Sequence, residues 1–147
     1  MVEAASGSAG ASRLQLRLAS DCEALEPTRQ AVLHFLAPHA LNPRTIFNVE
    51  LVLEETLSNQ IKYAFSGATG RSIELTVQVD ADRVAMRFED DGVAFDPLRA
   101  RAPVLPSAIE EAVPGGLGLM LVRKFAQSVD YERRDGRNCL TIAVARA

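Results

Sequence analysis

The chain has 147 residues, 48% of them hydrophobic and 24% charged, which suits one folded domain with a single core. A formal net charge of -3 and an isoelectric point near 5.4 exclude a surface built for nucleic acid, because binding backbone phosphates needs a basic excess. Two distant cysteines, Cys22 and Cys139, exclude a disulfide framework and a cysteine metal site, and they suit a reducing compartment. The opening MVEAASGSAGAS is small, polar and glycine-rich, so residues 1–12 are expected to form a disordered tail before a single domain over 13–147. It lacks the basic start and apolar run of a secretory signal. No apolar run approaches the roughly 20 residues that cross a bilayer, so the expectation is a cytoplasmic protein with no membrane contact.

From Arg13, RLQLRLA alternates with Leu14, Leu16 and Leu18 on one side, which predicts a half-buried strand. Ser20 and Glu23 have capping-box spacing and predict a helix to about Leu36. After PHALNP, Asn42 can cap and Pro43 can enter the first turn of a second helix, expected to run to about Phe65. RSIELTVQV and RVAMRFED alternate on either side of a short polar turn at Asp80–Asp82, the signature of an antiparallel hairpin. PLRARAPVLPSAIEEAVP, Pro97 to Pro114, carries four prolines and no period, and reads as a long loop. A helix from Leu117 to about Ala126 follows, then SVDYERR, a tight turn at Asp135–Gly136, and NCLTIAVA as the last strand. Strands that follow one another in hairpins, without regular strand–helix alternation, predict an α+β fold. It is a two-layer sandwich with a mixed, mostly antiparallel sheet and helices on one face.

Three stretches carry chemistry. In the second helix, Glu55 and Asn59 are four residues apart and lie about 40° from each other on one face, whereas Glu54 is about 140° from Asn59. A carboxylate beside an amide oxygen suits a Mg²⁺–nucleotide site, and the same spacing also serves an ordinary solvated polar stripe. In EDDGVAFDP, Asp90 can accept hydrogen bonds from an exocyclic amine such as adenine's, and Gly92 leaves room for a flat ring; a plain Asp91–Gly92 turn reads equally well. In GGLGLMLVRKFA, glycines stand at a helix start, where unpaired N–H groups can receive phosphate and where a sharp bend alone would also need them.

Taken in order, ExxxN on a helix, DxG after a strand and GLGL before a helix resemble the N, G1 and G2 boxes of the GHKL, or histidine-kinase-like, ATPase superfamily and its Bergerat fold. The likeness is closest to the stand-alone anti-sigma-factor serine/threonine kinases, through LVLEETLSNQIKYAF, FEDDGVAFDPL, GGLGLMLVRKFAQSVDYER and GRNCLTI. The resemblance implies ATP and Mg²⁺ as cofactors. It makes Glu55 the general base, Asn59 the Mg²⁺ ligand and Asp90 the acceptor of the adenine amine, with Gly92 allowing close approach. Gly116, Leu117, Gly118 and Leu119 would cradle the phosphates, and Pro97–Gly115 would be the ATP lid. Asn138 falls near a position where relatives often carry a threonine by the base, and Thr141 is its rival. Two positions depart from the pattern: Ala94 replaces the second G1 glycine, and Tyr63 stands where a histidine is often found.

The implied function is transfer of the γ-phosphoryl of Mg-ATP to a serine or threonine of a protein partner. In the family that partner is an anti-sigma antagonist, a sigma factor is alternately sequestered, and homodimers are common. The alternative is a module that holds nucleotide without turnover and acts by sequestering its partner. A sensor histidine kinase would need a dimerising phospho-acceptor module, and an ATP-driven machine a transducer domain, for which this length leaves no room.

Overall fold

The computed structural model describes residues 2–6, 13–61, 72–94 and 116–146, with 2–6 and 116–120 described by their backbone. Tyr63, the expected helix end at Phe65 and the expected lid lie outside the described residues.

Six strands form one sheet: β1 (Val2–Ser6), β2 (Arg13–Ala19), β3 (Ser72–Val79), β4 (Arg83–Asp90), β5 (Ser128–Arg134) and β6 (Arg137–Ala145). Their order across the sheet is β1-β2-β3-β4-β6-β5, and every neighbouring pair is antiparallel. The α+β sandwich expected from the sequence is present, though its described sheet is wholly antiparallel rather than mixed. The first strand is a second correction. Val2–Ser6, within the segment expected to be a disordered tail, instead pairs with β2, Val2 opposite Leu18 and Ser6 opposite Leu14. Five short residues, alanine-rich and without alternation, give no strand signal of their own; the open edge of β2 supplies the hydrogen-bonding partner.

Alternation makes the layers. Register aligns Val79, Val84 and Val144 in one row, Val77, Met86 and Ile142 in the next, and Leu75, Phe88 and Leu140 in a third. All of these are buried, and they form the face that meets the helices. The opposite face carries Arg17, Glu74, Arg87 and Glu89, with ion pairs such as Arg87 Nη2 to Glu89 Oε1 at 2.8 Å. The fourth row ends the apolar face differently: Ile73, Asp90, Asn138 and Arg133 stand side by side. Polar groups thus enter the helix-facing layer at one end of the sheet.

Three helices cover the apolar face: α1 (Leu25–Leu36), α2 (Pro43–Asn59) and α3 (Gly116–Phe125). The first begins differently from expectation. A 3₁₀ turn at Cys22–Ala24 precedes it, and Asp21, not Ser20, is the cap, its Oδ1 accepting from Glu23 N–H at 3.0 Å. Ser20 is buried and Asp21 exposed, so the aspartate is the one free to turn back on the backbone. Helix α2 starts as the sequence predicts, with Arg44 N–H donating to Asn42 Oδ1 at 2.7 Å and Pro43 in the first turn. It buries Val49, Val52, Leu53 and Leu57 against the sheet. Beyond Asn59 the helix widens into a π turn at Gln60 and Ile61. Helix α3 packs on α2, where the Phe47 and Phe125 rings meet edge to face at 6.4 Å. No helix among the described residues is long and apolar enough to cross a membrane.

Candidate functional site

The polar end of the apolar face is organised around Asp90, which is 1% exposed. A buried carboxylate is costly unless hydrogen-bonded, and three donors converge on this one. Oδ1 accepts from Gly92 N–H at 2.8 Å and from Asn138 Nδ2 at 2.9 Å; Oδ2 accepts from Gln60 Nε2 at 2.7 Å. The Gln60 bond ties the end of α2 to the end of β4, two stretches 30 residues apart in the chain. Asp90 and the end of the second helix are thus joined through Gln60, a residue that the sequence reading did not single out.

Asn138 is fixed from all sides. Its Nδ2 donates to Asp90 Oδ1 and to Val93 O at 2.8 Å, while its Oδ1 accepts from Tyr131 Oη and from Arg133 Nη1 at 3.1 Å. Both amide hydrogens and both oxygen lone pairs are in use, which fixes which way the carboxamide points. Arg133 Nη1 also donates to Gly92 O at 2.8 Å, so β5 and β6 together hold the DDG segment. Register separates Asn138 from Thr141 by parity. Thr141 lies three positions along β6, opposite Arg87, and so faces the other side of the sheet. Tyr131 and Arg133 were missed, yet a two-residue turn at Asp135–Gly136 dictates their register: Arg134 opposite Arg137, Arg133 opposite Asn138, Tyr131 opposite Leu140.

Glu55 and Asn59 lie on α2. Glu55 is half-buried, and Asn59 is 2% exposed. Glu54 is exposed and lines the cleft between α1 and α2 with Glu26, Arg29 and Glu50, away from Asn59 as the helical angle requires. Both polar atoms of the Asn59 side chain lack a hydrogen-bond partner among the described residues, as do Thr56 Oγ1 and Gln60 Oε1. An unpartnered buried polar group costs about 1–3 kcal/mol, so four such atoms on Thr56, Asn59 and Gln60 mark a place shaped for something other than packing. The π turn that includes Gln60 is a distortion often found at functional positions.

A carboxamide oxygen without a partner is the hard donor that Mg²⁺ takes, so Asn59 fits that ion. Among the described residues no group of three His, Cys, Asp or Glu side chains could hold a metal alone; an ion here would take its remaining ligands from phosphates and water. Gly116, Leu117, Gly118 and Leu119 form the first turn of α3, which starts one residue before the Leu117 expected from the sequence. Their backbone N–H groups are among those that a helix start leaves unpaired. Gly92 is buried beside Asp90, and Ala94 is exposed.

An open antiparallel sheet with its helices on one face, a buried carboxylate closing a central strand and a carboxamide-bearing helix bonded to it define a domain of the histidine-kinase-like architecture. Residues 18–144 match the model of the histidine kinase-like ATPase domain, and the chain belongs to that family. The serine/threonine-protein kinase BtrW of Bordetella bronchiseptica is 37% identical over 99 residues, covering 67% of this chain and 70% of BtrW. The serine-protein kinase RsbW of Listeria innocua is 25% identical over 95 residues, covering 62% of this chain and 60% of RsbW. The crystal structure of the RsbU and RsbW domains of Rv1364c from Mycobacterium tuberculosis aligns with a TM-score of 0.59 at 15% identity, over 92% of this chain and 33% of that one. That last likeness is one of fold.

Proposed function

We propose that this chain is an ATP-dependent protein serine/threonine kinase of the anti-sigma-factor type, acting on a protein partner in a partner-switching system. The observation that carries the proposal is the buried, unpartnered Asn59 carboxamide, one helical turn from the half-buried carboxylate of Glu55. The kinase names of its relatives support the same reading.

In this reading Asp90, held by Gln60, Gly92 and Asn138, accepts from the adenine amine. Because Asn138 is saturated by protein groups, it positions Asp90 rather than touching the base. The α3 start, with Gly116, Leu117, Gly118 and Leu119, receives the phosphates through backbone N–H groups and the positive end of the helix dipole. Asn59 holds Mg²⁺, which when bound neutralises phosphate charge. Glu55 takes the proton from the partner's serine or threonine hydroxyl as its oxygen bonds to the γ-phosphorus and the bond to the β-phosphate oxygen breaks, releasing ADP. Positioning and charge neutralisation are most of what phosphoryl transfer asks of a protein. The phosphorylated partner is an anti-sigma antagonist, and a sigma factor is bound in alternation with it by a homodimer of the kinase.

The test is transfer of radiolabelled γ-phosphate from ATP to a cognate antagonist. Transfer by the wild-type chain that is lost in Glu55→Ala, with ATP binding retained, is the expected result. ATP binding without transfer in the wild type would instead make the chain a nucleotide-holding module that sequesters its partner.

A further inference from the structure

We propose that Gln60 is a specificity-determining residue that, with Asp90, reads a two-hydrogen exocyclic amine on the purine; this rests on the nucleotide reading above. Gln60 is 5% exposed and sits in the π turn directly after Asn59. Gln60 Nε2 donates to Asp90 Oδ2 at 2.7 Å, which sets the orientation of the carboxamide. That leaves Oε1 buried without a partner. On Asp90, Oδ1 already accepts two bonds and Oδ2 only one, so one acceptor position remains on the oxygen that Gln60 touches.

Two unused acceptors are thus joined through one hydrogen bond. Within an amide the oxygen and nitrogen are about 2.2 Å apart, so with the 2.7 Å contact Oε1 and Oδ2 stand at most about 5 Å apart. At that limit Nε2 lies between them; a bent arrangement, with the two oxygens about 4 Å apart, would leave both within reach of one nitrogen that carries two hydrogens. A carbonyl at that ring position would bring a third acceptor against the other two, and a bare C–H would leave both unsatisfied. Asp90 alone would accept one hydrogen of the amine; the buried Oε1 of Gln60 accounts for the other.

The experiment measures dissociation constants of ATP, inosine triphosphate and purine riboside triphosphate for the full chain, for Gln60→Met and for Gln60→Asn, with circular dichroism confirming folding. Methionine keeps length without polarity, and asparagine keeps the amide but is too short to hold the same contact. The wild type is expected to prefer ATP to both analogues, and each variant to lower the ATP-to-inosine preference by about tenfold. A variant that folds and keeps the wild-type preference overturns the inference, as does a wild type that binds ATP and inosine triphosphate alike; either leaves the nucleotide reading standing. Failure of the wild type to bind any of the three overturns both.

Discussion

Asn138 Nδ2 lies 2.9 Å from Asp90 Oδ1, and the two residues stand directly opposite each other in the β4–β6 register. A hydrogen bond between residues already aligned by the backbone needs little further ordering, and here it satisfies a carboxylate that has lost its water. Asn138→Ala removes that donor and takes a partner from Val93 O and Tyr131 Oη as well, while Arg133 Nη1 keeps its bond to Gly92 O. The expected loss is about 1–3 kcal/mol of unfolding free energy, read from urea denaturation, with a parallel weakening of ATP binding. An unchanged urea midpoint would contradict the positioning role.

Asn59 is expected to behave in the opposite way. Its buried amide has no partner, so Asn59→Leu exchanges an unsatisfied polar group for an apolar one of similar size. Stability should rise by about 1 kcal/mol, while the dependence of nucleotide affinity on Mg²⁺ disappears. A thermal melt and a Mg²⁺ titration check the two halves. A gain in stability together with loss of function is the mark of a residue kept for its ligand.

Glu55 is half-buried and carries no packing role that its amide could not fill. Glu55→Gln should therefore change stability by no more than about 0.5 kcal/mol and leave ATP affinity nearly unaltered, while phosphoryl transfer falls by about 10²-fold or more. Equal loss of binding and transfer would place Glu55 among binding groups instead.

Two residues before Asn138, Asp135 and Gly136 turn the last hairpin with φ of 52° and 75°. A Cβ added at Gly136 would meet nothing within 4 Å, so Gly136→Ala strains only the backbone. It should lower stability by about 1 kcal/mol in denaturant titration without changing the nucleotide preference. Because the same turn sets the register that brings Arg133 to Asn138, a shift in preference would reveal slippage of β5 along β6.

Legibility from the sequence followed the strength of local patterns. Strands β2, β3, β4 and β6 alternate cleanly, and their described limits agree with the expected ones. Asn42 and Pro43 announced α2, and the Asp135–Gly136 turn announced the last hairpin. Where two residues compete for one task, the text did not discriminate: Ser20 and Asp21 both can cap, and burial of Ser20 left the cap to Asp21. The Val2–Ser6 strand depends on a partner edge, which local composition does not encode. Gln60 was obscured because an ideal helix turns it about 100° from Asn59, and only the π turn and the approach of β4 give it a carboxylate to bind. Thr141 and Asn138 could be separated only once register assigned each a face of the sheet.

The central claim is that the polar end of this sheet, together with α2, binds Mg-ATP. Isothermal titration of the full chain with ATP, in the presence and absence of Mg²⁺, tests it most directly, with Asp90→Asn as the comparison. The account predicts saturable binding at one site per chain, strengthened by Mg²⁺ and weakened at least about tenfold in Asp90→Asn. Absence of binding by the wild type, or an affinity that Asp90→Asn leaves untouched, would contradict it.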